Sequence, residues 1–263
     1  MADRESYAQG TPSWVDLATT DIAGAKAFYG ELFGWSFNDL AEGDNVFYSM
    51  ATMRGSNVAA IAPQQPEQVA AGVPAHWQMY ITVVDVDAAA ALVEGAGGSL
   101  HVPPFDVMDA GRMAVVTDPT GAFVLLWTAA NNPGAAIVNE PGAFTWSELV
   151  AAPNDRTASF YEIVTGLKTI SMPMADGSEY GGFTLDGTPD TMVAGTMAPQ
   201  MPGIPAHWSI YFGAADVDVA AARVAELGGS VLVEPFDIPV GRMAVVADPQ
   251  GAGFNLFQMA PPT

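Results

Sequence analysis

The chain has 263 residues, no cysteine, three histidines, and 29 acidic against 8 basic side chains, for a formal charge of -21. That charge opposes binding to a phosphate backbone or an anionic membrane, and the missing thiols exclude disulfides, thiolate metal sites and cysteine nucleophiles. Half the residues are hydrophobic, enough to build a core in each of two domains of ordinary size.

Residues 1–10 are polar and read as a loosely held arm, without the apolar stretch of a signal peptide. Ser13 to Ala18 alternates as a strand, and Asp21 is placed to cap a helix. Ala25, Phe28, Tyr29 and Leu32 then mark one buried helical face, which Gly34 ends. Short strands are predicted at Trp35–Phe37, Val46–Met53 and Val58–Ala62, followed by a proline- and glutamine-rich loop from Pro63 to Pro74. The same order then recurs. His76 to Val84 reads as a strand, and Asp87 is expected to cap a helix that closes at Gly97-Gly98. Strands follow near Ser99–Val102, Arg112–Thr117 and Phe123–Trp127, with a tight turn at Asp118-Pro119-Thr120-Gly121. No stretch is long and apolar enough to span a bilayer.

A linker rich in Asn, Gly and Pro, Asn131 to Pro141, precedes a second copy of everything. AHWQMYITVVDVDAAAA at Ala75 returns at Ala206 as AHWSIYFGAADVDVAAA, and the match runs on to Trp127 and Phe257. Trp146 answers Trp14 and Glu148 answers Asp16. Asp155 and Asp218 are expected to cap the two helices of the second half. A repeat of this length fixes the architecture: an α+β protein of two tandem domains, 11–130 and 142–260, each made of two βαβββ modules.

Strand alternation divides the faces. Val15 and Leu17 suit a helix-packed side, leaving Trp14 and Asp16 on the other. By the same rule His76, Gln78 and Tyr80 share that second face with Leu125 and Trp127, and so do Trp146, Glu148, His207, Ser209, Tyr211, Asn255 and Phe257 in the second half. An aromatic lining with one carboxylate and one imidazole per domain suits a flat or apolar small molecule. Asp16 and Glu148 read either as hydrogen-bonded strand carboxylates or as ligand-contacting bases. His76 and His207, each after Pro-Ala, read either as bonded to a loop carbonyl or as proton-transfer groups. Arg112 and Arg242, two of few cations, read as pairing within the protein, as ligand contacts or as bridges between domains.

The four modules, starts such as WVDLATTDIAGAKAFYGELFGW, and the endings DPTGAFVLLW and DPQGAGFNLF together resemble the vicinal-oxygen-chelate superfamily of glyoxalases, bleomycin-resistance proteins and extradiol dioxygenases. Within it the chain is most similar to tandem glyoxalase-like actinobacterial proteins that carry the label "hydroxylase". The resemblance implies two glyoxalase-like domains, each with a U-shaped cavity, and in family enzymes a divalent metal held there. The positions matching the family's ligands are Trp14, Gln78, Leu125 and the Val58–Ala60 stretch, then Trp146, Ser209, Asn255 and the Met192–Gly195 stretch. Indole and leucine side chains do not bind a divalent cation, so no metal and no other cofactor is expected.

The reading is a cytoplasmic monomer or homodimer that binds small aromatic or carbonyl-containing metabolites without a metal, with no nucleic-acid or membrane partner. The alternative is a glyoxalase-like lyase, isomerase or hydroxylase with Asp16 or Glu148 as base and Tyr80, Tyr211, His76 or His207 as proton donors. A third reading is an interaction protein whose cavities are filled by its own aromatic side chains.

Overall fold

The computed structural model describes residues 3–43, 45–152, 154–174, 179–201 and 203–260. The first half runs β1 (Pro12–Thr19), α1 (Ile22–Phe33), β2 (Ser36–Glu42), β3 (Asn45–Met53), β4 (Ser56–Pro63), a short α2 (Pro66–Ala70), β5 (His76–Thr82), α3 (Val86–Leu92), β6 (Ser99–Val107), β7 (Gly111–Thr117) and β8 (Phe123–Ala129). The second runs β9 (Phe144–Val150), α4 (Thr157–Thr165), β10 (Lys168–Pro173), β11 (Glu179–Thr184), β12 (Met192–Met197), β13 (His207–Gly213), α5 (Val217–Glu226), β14 (Ser230–Ile238), β15 (Gly241–Ala247) and β16 (Gly253–Met259). Each half closes its own 8-stranded sheet, ordered β2-β3-β4-β1-β5-β8-β7-β6 and β10-β11-β12-β9-β13-β16-β15-β14. Both sheets put the first strands of their two modules side by side and antiparallel, with Asp16 opposite Gln78 and Glu148 opposite Ser209. The α2 turn lies where the sequence reads as loop, built on Pro66 at its start and a Gln65–Gln68 capping box.

The caps follow local chemistry, with three corrections. Asp21 accepts from the Gly24 amide, as read from sequence. In the two DVD segments it is the first aspartate that caps: Asp85 accepts from Ala88 N and Asp216 from Val219 N. An N-cap side chain must reach the amide three residues on, and this leaves Asp87 and Asp218 inside the first turn, where each pairs with an arginine. Asp155 does not cap α4 either; Arg156 holds the N-cap position without a side-chain bond. Helices α1 and α4 end on Gly34 and Gly166, with φ of 71° and 82°, the left-handed conformation that glycine takes at least cost.

One core joins the halves. Val15 and Leu17 of β1, Phe28 and Tyr29 of α1, Phe160 and Tyr161 of α4, and Trp208 and Phe212 of β13 belong to a single buried cluster. The helices therefore lie between the two sheets, with α1 against α5 and α3 against α4, and each sheet turns its other face outward. Two reciprocal hydrogen bonds cross this core: Tyr29 Oη donates to Asp248 at 3.1 Å, and Tyr161 Oη to Asp118 at 3.0 Å. Each tyrosine also accepts an indole N–H, from Trp77 and Trp208 respectively. The Asp-Pro-x-Gly turns thus do two jobs. One oxygen of Asp118 accepts from the Ala122 amide at 3.1 Å and holds the turn, while the other reaches the opposite half.

The N-terminal arm is more firmly held than its composition predicts. Gly10 N donates to Thr82 O, Gln9 accepts from Val84 N, and Tyr7 Oη reaches Ala135 O. The polar side chains that mark an arm in sequence are the ones that tie it down.

Candidate functional site

Alternation along β1 sorts its side chains as the sequence implies: Val15 and Leu17 join the shared core, while Trp14 joins a separate cluster on the outer, concave face. Asp16 sits between them in register with Ala60 and Gln78 and is 3 % exposed. Its Oδ2 accepts from Tyr80 Oη at 2.7 Å and from Tyr48 Oη at 3.1 Å, and Tyr48 in turn accepts from Trp14 Nε1 at 2.9 Å. Oδ1 is sealed from solvent without a partner. Burial pushes the Asp16 carboxyl up to about 6 against the opposing pull of the two tyrosine hydrogen bonds. Burial and then the Asp16 charge hold Tyr48 and Tyr80 well above the ordinary phenol range, so both stay protonated as donors.

The second half repeats the constellation one methylene longer. Glu148 Oε1 accepts from Tyr180 Oη at 2.6 Å, Oε2 accepts from Tyr211 Oη, and Tyr180 accepts from Trp146 Nε1 at 3.2 Å. The extra methylene is matched on the facing strand. Gly195 lies opposite Glu148 where Ala60 lies opposite Asp16, and a Cβ on Gly195 would come within 2.0 Å of Tyr180 Oη and 2.9 Å of Glu148 Oε1. Burial and the Glu148 charge raise Tyr180 and Tyr211 far above ordinary phenols. Tyr48 and Tyr180 were not among the residues singled out from sequence. Each follows its tryptophan by 34 residues, and that shared spacing was the available signal.

The two faces differ in how they are closed. On the first, Trp14, Tyr80, Met113, Leu125 and Trp127 pack against Ala135 of the linker. Ala135 N donates to Ser13 O, and the Trp127 indole donates to Asn132 O at 3.0 Å. The linker is therefore folded back as a plug, which leaves Leu125 2 % and Trp127 5 % exposed. On the second face Trp146 and Phe257 are only half-buried where Trp14 and Trp127 are buried, while Tyr180 and Ser209 are half-buried like Tyr48 and Gln78 on the first. Register gives the smaller side chains at matched positions: Ser209 stands for Gln78, Phe257 for Trp127 and Gly253 for Phe123.

The remaining sequence candidates lie elsewhere. His76 and His207 are at the outer ends of their strands, each with Nδ1 2.9 Å from the carbonyl of Pro74 or Pro205, the loop-bonded arrangement. Arg112 and Arg242 are not on the concave faces. Met113 points there, so alternation turns Arg112 the other way, where it pairs with Asp87 and Asp106; Arg242 pairs with Asp218 and Asp237 in the same manner. Of the three sequence readings of these arginines, pairing within the protein is the one seen here.

A family-type metal does not fit the groups present. Its positions hold Trp14, Gln78 and Leu125, then Trp146, Ser209 and Asn255, and the neighbouring carboxylates already accept from tyrosines. Among the described residues no group of three or more His, Asp or Glu side chains is placed to hold an ion, and four such donors are the usual need. Nor, among them, is any helix long and apolar enough to cross a membrane.

With paired βαβββ modules and two outward concave faces in view, comparison with known proteins agrees with the geometry. The family model of the Glyoxalase/Bleomycin resistance protein/Dioxygenase superfamily matches residues 11–126 and 134–256, and the chain belongs to that family. It is 49 % identical to "Putative glyoxylase CFP32" of Mycobacterium tuberculosis over 99 % of both chains. It is 35 % identical to the anthracycline biosynthesis protein DnrV of Streptomyces peucetius, covering 96 % of this chain and 94 % of that one. Among solved structures it resembles the Mn(II)-bound glyoxalase of Novosphingobium aromaticivorans, with a TM-score of 0.64, 14 % identity, and 96 % of this chain and 83 % of that one covered. The 2,3-dioxygenase LapB of Pseudomonas sp. KL28 is similar in fold at a TM-score of 0.64 and 15 % identity, covering 97 % and 95 %.

Proposed function

We propose that this chain is a metal-independent glyoxalase-family protein that binds a small aromatic or carbonyl-containing metabolite on the concave face of its second half. The carrying observation is the Glu148 carboxylate, held by Tyr180 and Tyr211 on a face whose Trp146, Ser209 and Phe257 are half-buried. Half-buried aromatic walls around a few fixed polar groups are what a flat ligand requires. The anthracycline biosynthesis relatives support an aromatic ligand, since they are named for the making of polycyclic aromatic compounds. The first face carries the same carboxylate and tyrosines but has its aromatic groups packed under the linker, so one ligand per chain is the reading.

Native mass spectrometry of the protein purified from its own host, without chelator, tests this. The expected mass is the bare chain, or the chain plus one organic molecule. An increment of a divalent metal would overturn the metal-independent reading, and two organic molecules would overturn the single-site reading.

A second reading, catalysis, is favoured by one feature: each Glu148 oxygen accepts one tyrosine hydrogen bond and keeps a further lone pair for a substrate proton. Glu148→Gln separates the two. Turnover lost with binding kept supports a base; binding lost alone supports sequestration.

A further inference from the structure

The linker over the first concave face is clamped from both sides. The ladder between the parallel strands β1 and β4 runs from Asp16 opposite Ala60 to Thr19 opposite Pro63. Three residues nearer the start of each strand, the linker takes the place of that pairing. Ala135 N donates to Ser13 O at 2.8 Å, and Ala136 N donates to Asn57 O at 2.7 Å. The carbonyls of the same two residues go to the N-terminal arm instead. Ala135 O accepts from Tyr7 Oη, and Ala136 O accepts from Arg4 N at 2.8 Å. Two alanines thus give their amides to the sheet and their carbonyls to the arm.

The arm is braced for this contact. The Arg4 guanidinium lies over the Tyr7 ring at 5.2 Å. Burial pushes the Tyr7 phenol up to about 12 against the pull of Arg4, which keeps its proton in place for Ala135. Past Tyr7 the arm has its own anchor on β5, where Gly10 N donates to Thr82 O and Thr82 N to Thr11 O. Arm and linker are nonetheless separate layers: a crevice of about 80 Å3 is lined by Asp3 and Arg4 together with Ala136, Ile137 and Val138. On the sheet side the approach is as close as a backbone permits. Gly134 has a φ of 130°, and a Cβ there would come within 2.4 Å of Ser13 O.

We propose that residues 131–138 are a latched lid: they close the first concave face, the N-terminal arm locks them, and releasing the arm uncovers that face while the shared core stays folded. Opposing forces meet at the lid. Closing it buries Ala135 and Trp127 and makes the bond from the Trp127 indole to Asn132 O. Closing it also seals Asp16 Oδ1 without a partner, and an unpaired buried acceptor favours any state that admits water. The eight strands of the sheet are ordered without the linker, so it leaves without breaking the sheet. Opening uncovers a second carboxylate–tyrosine–tryptophan group like the one on the other face. The reading of one ligand per chain then describes the latched state.

Hydrogen exchange followed by NMR on the full chain tests this, with the wild type, Tyr7→Phe and Gly134→Ala. The Ala135 and Ala136 amides and the Trp127 indole report the lid. The Trp14 indole, bonded to Tyr48, reports the face beneath it, and the Trp208 indole, bonded to Tyr161, reports the shared core. Tyr7→Phe should speed exchange at the lid and at Trp14 by about five- to tenfold with Trp208 unchanged. Gly134→Ala, which spoils the approach to Ser13, should speed them further. Tyr7→Phe carries the test where Gly134→Ala fails to fold. No change in either variant, a Trp208 rate that rises in step with the lid, or a faster lid over an unchanged Trp14 would each overturn the proposal. An effect of Gly134→Ala alone would overturn the arm as the latch.

Discussion

The two concave faces began as one design and now differ at a few matched positions. Asp16 with Ala60 became, or came from, Glu148 with Gly195; the carboxylate moved outward by a methylene as the facing side chain shrank. Around that exchange the first face has Gln78, Phe123, Leu125 and Trp127, and the linker covers it. The second face has Ser209, Gly253, Asn255 and Phe257 and is left partly open. The tyrosines are unchanged in both. A carboxylate pinned by two phenols is therefore compatible with a face closed by the linker or with one left half-covered, and the surrounding side chains decide which.

The largest effect that can break this comparison is the cost of sealing Asp16. Its folded-state carboxyl titrates at about 6 against an ordinary 3.8. The group therefore favours the fold fully below its unfolded value, and that contribution is lost as pH rises through about 6. Between pH 3 and pH 7.5 the urea stability of the wild type should fall, relative to Asp16→Asn, by about 3 kcal/mol. A difference that does not change with pH would mean the first face is wetter than described.

Next is a place where the halves should agree. Tyr161→Phe and Tyr29→Phe each remove a hydroxyl that donates to a buried aspartate and accepts from a buried indole. Each should cost about 2–3 kcal/mol by thermal or urea unfolding. Unequal costs would show that one clasp holds more of the interface than the other.

Gly195→Ala probes where they should diverge. The added methyl would displace Tyr180 from Glu148, with an expected loss of about 1–3 kcal/mol and weakened binding of the proposed aromatic ligand. The reciprocal Ala60→Gly removes a methyl beside Asp16 without crowding it and should cost about 1 kcal/mol. Binding that is indifferent to Gly195→Ala would remove the second face from consideration. The smallest effect is expected at Arg112. Its pairs with Asp87 and Asp106 are exposed to solvent, so Arg112→Ala should leave binding unchanged and move the melting temperature little.

How much of this was legible follows from which interactions are local. The repeat and the period-two alternation place Trp14, Asp16, Tyr80 and their counterparts on one face, because register and pleat are properties of a strand and its neighbour. For Arg112 the same rule chooses among the three readings, since Met113 beside it is the residue on the concave face and the guanidinium turns to Asp87 and Asp106. Asp85 and Asp87 are both sound caps by composition, and only reach to Ala88 N against reach to Arg112 separates them. Tyr48 was recoverable from its spacing to Trp14. The plug was not: Ala135 is small, sits in a segment with the composition of a linker, and takes its role from Ser13, far away in the chain.

The reciprocal tyrosine–aspartate bonds have one more consequence. Tyr29 gives to Asp248 while Tyr161 gives to Asp118, so each half owns both a donor and an acceptor for the same joint. A half-length chain would present a self-complementary surface, and two copies related by a two-fold axis would make both bonds again. The fused protein holds within one polypeptide what an isologous dimer would achieve by mass action. Covalent fusion makes the joint independent of concentration and also frees the halves from identity. Once the partner is a different sequence, one concave face can be closed by the linker while the other stays partly uncovered.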